Sequence, residues 1–98
     1  MEDWIDKFLD YLLAERGLAA NTISSYGMDL RMFKDFLEDS KLGSWKSVTH
    51  QGINTFLLKR RDKGINPSSL ARELVAIKMF FRFIFQEEHV SKFFMPQA

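Results

Sequence analysis

Hydrophobic residues recur along the chain at the three- and four-residue spacing of amphipathic helices, and no segment shows the strict alternation of a β-strand. Four segments carry the helical pattern. They predict helix one from Asp3 to Arg16, helix two from Ala20 to Asp39, helix three from its N-cap Thr49 to Arg61, and helix four from Pro67 to about Glu88. Because the connections are short, the pattern predicts an all-α fold, a compact four-helix bundle.

The ends of these segments carry residues that favour starting or stopping a helix. Gly17 follows helix one, where glycine readily adopts the left-handed conformation of a C′ residue. Thr49 suits the N-cap of helix three, and Asn66-Pro67 places an N-cap before a proline at the first position of helix four. The inward stripes predict a core of Ile5, Phe8, Leu9, Leu12, Leu13, Ile23, Tyr26, Leu30, Phe33, Leu37, Ile53, Phe56, Leu57, Leu70, Leu74, Ile77, Phe81 and Ile84.

Composition places the chain among single-domain globular proteins. A hydrophobic content of 46% with ten Phe is enough for one packed core in 98 residues. The chain has no Cys, which excludes disulfides and thiolate metal sites and is typical of a reducing cytoplasm. The N-terminus is acidic and no apolar run approaches ~18 residues, so neither a signal peptide nor a membrane span is expected. These features predict a cytoplasmic protein without membrane contact.

Groups suited to catalysis are few. His50 and His89 are the only imidazoles, and the pattern places one at the start of helix three and the other past helix four. Tyr11 and Tyr26 are the only phenols, and Tyr26 lies on the apolar stripe of helix two, where packing is its expected role. No metal-binding or phosphate-cradling motif is present. The chain by itself is therefore expected to be no enzyme and to hold no metal or cofactor.

The distribution of charge along the chain favours a binding role over a catalytic one. The net charge is +1, but residues 1–40 carry a net charge of −5 and residues 41–98 carry +6. Such segregation allows a basic face of the kind that binds phosphate, and it is equally compatible with an ordinary mixed surface.

Helices two and four both turn polar residues away from their apolar stripes. The outward residues are Ser24, Ser25, Met28, Arg31 and Met32 on helix two, and Ser68, Arg72, Val75, Met79 and Arg82 on helix four. Hydroxyls at a helix start suit phosphate oxygens, and Arg72 lies where it could reach a guanine edge in a major groove. Two alternatives stay open. The polar residues only cap and solvate the helices, or Val75, Met79 and Phe83 form a protein-interaction face without DNA binding.

Four motifs follow one another along the chain. They are Phe8-Leu9-x-x-Leu12 with Arg16-Gly17-Leu18, then Asn21-Thr22-x-x-x-Tyr26-x-x-Asp29-Leu30-x-x-Phe33, then Val48-Thr49, and then Ser68-Ser69-Leu70-Ala71-Arg72-x-Leu74-x-Ala76-Ile77-Lys78-x-Phe80-Phe81. In this order and spacing the chain resembles, over about residues 3–88, the N-terminal core-binding (SAM-like) domain of tyrosine recombinases of the Xer and phage-integrase type.

The resemblance implies a SAM-like core-binding domain over residues 1–90, and over residues 91–98 the start of a linker to a C-terminal catalytic domain. The implied partners are double-stranded DNA, gripped through helices two and four, that catalytic domain, and further copies in a tetramer, a homo-oligomer on DNA. Strand cleavage through a phosphotyrosyl intermediate would belong to the catalytic domain. With the outward faces, the resemblance implies the DNA-binding residues Asn21, Thr22, Ser24, Ser25, Arg31, Ser68, Ser69 and Arg72.

Two places depart from the family's pattern. Ala19-Ala20 stands where the family often has Ser-Pro, so the usual N-cap hydroxyl of helix two is missing. Gly27-Met28 stands where the family often has one or two Arg, and glycine weakens a helix interior. We therefore expect weak DNA affinity for the isolated domain.

Overall fold

A computed structural model describes residues 2–41 and 44–88 of the chain. It contains α1 (Glu2–Ala14), α2 (Ala20–Asp39), a 3₁₀ turn (Trp45–Ser47), α3 (His50–Asp62) and α4 (Pro67–Glu88). The four predicted helices and the all-α fold are confirmed. The 3₁₀ turn is an addition, because a single turn is too short to show a period in the sequence.

Local capping explains where the helices begin and end. Gly17 has a φ of +61°, the left-handed conformation expected after α1. The Thr49 side chain accepts a hydrogen bond from the Gly52 N–H at 3.0 Å, and the Asn66 side chain accepts one from the Ser69 N–H at 2.9 Å. Ala19 precedes α2 in an extended conformation without a side-chain cap, as its sequence predicts.

Aromatic rings hold the helices together. Phe8 of α1 contacts Phe80 of α4 at 5.5 Å between ring centroids, and Phe33 of α2 contacts Phe56 of α3 at 5.1 Å. Trp45 of the 3₁₀ turn joins these pairs, since its ring lies 4.6 Å from Phe80 and 6.2 Å from Phe33. Three of these pairs are edge-on and the Phe33–Trp45 pair is stacked, and both arrangements add to the free energy that burial of the rings supplies.

The buried face of α4 is wider than its sequence pattern predicts. Phe83, expected to point outward, is buried because α1 covers it, with the rings of Trp4 and Tyr11 at 6.2 and 5.0 Å. Met79 is half-buried against the same core. Of the three apolar residues of the predicted docking face, only Val75 is exposed. The correction arises because α4 contacts α1 as well as α2 and α3, so both of its flanks are covered.

The structure differs from the predicted core at two further places. Leu13 is exposed rather than buried, because it lies a full 100° around α1 from Leu12, beyond the face that packs. Leu70 and Leu74 are only half-buried, whereas Phe80 is fully buried. His89 and the predicted linker at 91–98 lie outside the described residues.

Candidate nucleic-acid interface

A two-pronged ion pair joins the two helices that carry the candidate DNA-binding residues. Arg72, in the second turn of α4, donates from Nε to Asp29 Oδ2 at 2.8 Å and from Nη2 to Asp29 Oδ1 at 2.9 Å. Asp29 lies midway along α2 and its side chain is 2% exposed, whereas the Arg72 side chain is 42% exposed. The pair therefore fastens a buried carboxylate to a guanidinium that reaches the surface.

A second pair of the same design lies next to the first. Arg60, in the last turn of α3, donates from Nε to Glu73 Oε1 at 2.9 Å and from Nη2 to Glu73 Oε2 at 2.7 Å. The Glu73 side chain is fully buried, and the Arg60 side chain is 17% exposed. Because Glu73 follows Arg72 in the chain, the two pairs form one charge network across α2, α3 and α4.

In each pair the two charges balance, and the hydrogen bonds to the carboxylate favour the charged form of the arginine. The hydrogen bond to Asp29 raises the pKa of Arg72 above its ordinary value, and the hydrogen bond to Glu73 does the same for the pKa of Arg60. Burial works in the opposite direction but is the smaller effect, since carboxylates satisfy the charges that it penalises. Positive charge is thus left at the surface while the negative charge stays inside.

The exposed face of α4 is consequently basic. Between Ser68 and Gln86 the exposed charged side chains of α4 are Arg72, Lys78 and Arg82, and its one carboxylate in this stretch is the buried Glu73. We call Arg72, Lys78 and Arg82 the basic ridge. Its three charges extend over about 15 Å of helix at the usual rise per residue.

The predicted DNA-binding residues of α2 fall on two different flanks. Thr22 and Ser25 are half-buried, and their spacing to Asp29 puts them on the flank that faces α4. Arg31 lies 200° around the helix from Asp29, and its Nη2 is 3.4 Å from Asp6 Oδ1 on α1. The structure therefore brings Thr22 and Ser25 towards the basic ridge and turns Arg31 towards α1.

The remaining predicted residues lie near the starts of these helices. Asn21 and Ser24 are exposed in the first turns of α2, and Ser68 is exposed in the first turn of α4. Ser69 is half-buried, and its backbone N–H is already used by the Asn66 cap, so its hydroxyl is the group left for a ligand. The start of α4 therefore offers hydroxyls rather than a full set of free N–H groups.

Sequence reasoning missed the buried charge network, although the sequence contains a signal for it. Asp29 lies three residues after Tyr26 and four before Phe33, at the spacing of the apolar stripe of α2. Glu73 stands at the same spacing from Leu70 and Ile77 on α4. A charged residue at a stripe position indicates a buried ion pair, but its partner cannot be identified from spacing alone. Lys78 was also missed as a member of the basic face.

Other kinds of site find little support in the described residues. Residues 2–41 and 44–88 contain no group of three His, Asp or Glu side chains placed to hold a metal ion. Tyr26 packs half-buried against the core, and His50 is exposed in the first turn of α3. No helix in this part of the chain is both long enough and apolar enough to cross a membrane.

A family model and individual relatives of this chain point to the same protein family. Residues 5–88 match the family model of the phage integrase N-terminal SAM-like domain. Tyrosine recombinase XerC of Roseiflexus castenholzii is 39% identical over 86% of this chain and 27% of its own length. Tyrosine recombinase XerD of Proteus mirabilis is 39% identical over 86% of the chain and 26% of its own length.

The similarity extends further along the chain in another relative. Tyrosine recombinase XerD of Staphylococcus epidermidis is 35% identical over 94% of the chain and 31% of its own length. The chain thus spans less than a third of the length of these three relatives. No solved structure matches it.

Proposed function

The chain belongs to the phage integrase N-terminal SAM-like domain family, and we propose that it binds duplex DNA as part of a site-specific tyrosine recombinase. In this proposal α2 and α4 grip the DNA. Strand cleavage and rejoining are carried out by a C-terminal catalytic domain, which corresponds to a part of the relatives that this chain does not span. The complete recombinase assembles as a tetramer on DNA.

The observation that carries the proposal is the separation of charge by the buried network. DNA presents a dense row of phosphates, and any exposed carboxylate on the contacting face weakens binding. Asp29 is the only carboxylate in the first fifteen residues of α2, and it is buried and paired, as is Glu73 on α4. The first fifteen residues of α2 and residues 68–86 of α4 therefore present hydroxyls and the basic ridge without an exposed carboxylate.

The dimensions of the helix suit the same interpretation. An α-helix with its side chains is ~10–12 Å wide, and the major groove of B-DNA is about 12 Å wide. With α4 near the groove, Arg72 could approach base edges while Lys78 and Arg82 approach phosphates further along the helix. Thr22, Ser25 and Ser68 would add hydroxyl contacts to the backbone.

Salt dependence tests the proposal directly. We expect the 98-residue chain to bind a short random-sequence duplex with a slope of log affinity against log salt of about −2, because Lys78 and Arg82 neutralise two phosphates. Lys78→Ala and Arg82→Ala should each reduce this slope by about 1. Lys46→Ala, in the 3₁₀ turn outside both helices, is the matched control and should leave the slope unchanged.

The same titrations separate DNA binding from the alternative of a protein-docking domain. Apolar docking through the exposed Val75 would give little dependence on salt and no dependence on Lys78 or Arg82. If the chain shows no salt-dependent binding to duplex DNA, or if Lys46→Ala reduces the slope as much as Lys78→Ala does, the proposed interface is wrong.

A further inference from the structure

Arg72 has two donor edges, and the structure uses only one of them internally. A planar guanidinium can present Nε with one Nη, or the two Nη groups together. Asp29 takes the first edge, through Nε and Nη2. Among the described residues Nη1 has no hydrogen-bond acceptor, so the edge formed by Nη1 and the second hydrogen of Nη2 is available. The Arg72 side chain is 42% exposed, so a ligand can approach it from solvent.

We propose that Asp29 is a positioning residue that holds Arg72 so that its free edge reads a guanine base in the major groove. The inference rests on the proposed DNA-binding function. It adds Asp29 as the residue that orients Arg72 for base recognition. Guanine is the base that presents two acceptors, O6 and N7, side by side in the major groove, and a bidentate arginine matches them. Phosphate contacts alone would give binding without this preference.

The buried carboxylate suits this role for two physical reasons. A free arginine loses much rotamer freedom when it binds, whereas Arg72 is already fixed by two hydrogen bonds before DNA arrives. Asp29 is itself fixed, because it is buried in the middle of α2 rather than on a loop. Fixing one edge of a planar group also fixes the direction of the other edge.

The neighbouring pair strengthens the restraint. Glu73 is bound to Arg60 of α3 through two hydrogen bonds of 2.9 and 2.7 Å. This anchors the residue next to Arg72 and so fixes the rotation of α4 about its own axis at that turn. Lys78 and Arg82, which are exposed further along α4, have no such restraint in the described residues and are suited to phosphate instead.

The test uses duplexes in which single guanines lose N7. The 98-residue chain first selects a bound duplex from a random-sequence library. Each guanine of that duplex is then replaced in turn by 7-deazaguanine, which keeps base pairing but removes the N7 acceptor. Affinity is measured by fluorescence anisotropy at one fixed salt concentration. We expect one position at which the replacement weakens wild-type binding about fivefold or more.

Variants then assign that sensitivity to the proposed arrangement. Asp29→Asn should bind both versions of the duplex equally, because Arg72 is no longer oriented, while its salt slope stays close to that of wild type. Arg72→Lys should also lose the sensitivity, since an ammonium lacks the two-pronged edge. Arg82→Lys is the matched control on the same helix and should keep it. Thermal melting verifies that each variant is folded.

A measurement on the wild-type chain covers the case in which Asp29→Asn does not fold. The Arg72 Nε–H, identified in NMR spectra by its loss in Arg72→Lys, should keep its chemical shift and slow exchange when the selected duplex is added, because Asp29 still holds it.

Three results would count against the inference. If no guanine is sensitive, if Asp29→Asn keeps the full sensitivity, or if the Nε–H signal moves to that of a free arginine on binding, the positioning role is wrong and DNA binding stands. If the wild-type chain binds no duplex at all, both the inference and the proposed function fail.

Discussion

Replacing Arg60 by methionine should destabilise the fold more than any other single change at the surface of α3. The substitution keeps a long apolar side chain but removes both donors to Glu73. Glu73 is fully buried, so no water can replace those donors without opening the contact between α3 and α4. The variant therefore tests whether the buried carboxylate depends on its partner.

The size of the effect follows from the burial of Glu73. Breaking a buried ion pair by removing one partner costs about 3–5 kcal/mol, because an uncompensated charge is left inside. We therefore expect Arg60→Met to lower the free energy of unfolding by ~3–4 kcal/mol, which for a domain of this size lowers Tm by about 12–30 °C.

The partner substitutions supply the controls. Glu73→Leu leaves Arg60, whose side chain is 17% exposed and can move its guanidinium into water, so we expect a loss of only about 1 kcal/mol. The double variant Arg60→Met/Glu73→Leu should recover most of the stability lost in Arg60→Met, because an apolar pair of similar volume replaces the ions. Urea titration with far-UV circular dichroism measures all three.

Two results would refute this reasoning. Equal losses for Arg60→Met and Glu73→Leu would mean that burial of the carboxylate does not set the energy. A double variant no more stable than Arg60→Met would mean that the losses come from packing rather than from an unpaired charge.

Three other substitutions test the packing and the helix ends, each by thermal and urea denaturation. Ala19→Ser should stabilise the chain by ~0.5–1 kcal/mol by adding the missing cap of α2, and Thr49→Ala should destabilise it by a similar amount, so opposite signs are required. Trp45→Ala should cost about 3–5 kcal/mol because it removes the ring that contacts Phe80 at 4.6 Å, and a loss under about 1 kcal/mol would contradict that packing. Gly27→Ala should stabilise α2 by up to about 1 kcal/mol, because the new methyl meets only the ends of two flexible side chains at 3.1 Å, and a clear destabilisation would show that they cannot move.

Local features of the fold were predictable because they depend on neighbours in the sequence. The bounds of α2 and α4 follow from their apolar spacing, and the caps at Thr49 and Asn66 follow from side chains that bond backbone groups three residues ahead. Phe83 was misplaced for the opposite reason. Its burial depends on α1 lying beside α4, and the pattern of α4 alone does not contain that contact.

The candidate site also has one part that the sequence predicts and another that only the packing of the helices decides. The sequence by itself determined that α2 and α4 carry outward hydroxyls and Arg72, and it placed the chain near its family through motifs that span most of its length. Only the tertiary structure decided that Arg72 is held by Asp29, 43 residues away, and that Arg31 turns instead towards α1. The physical reason is that helical periodicity gives each residue a direction on its own helix. The choice of ionic partner depends on which helices pack together and which charges that packing removes from water.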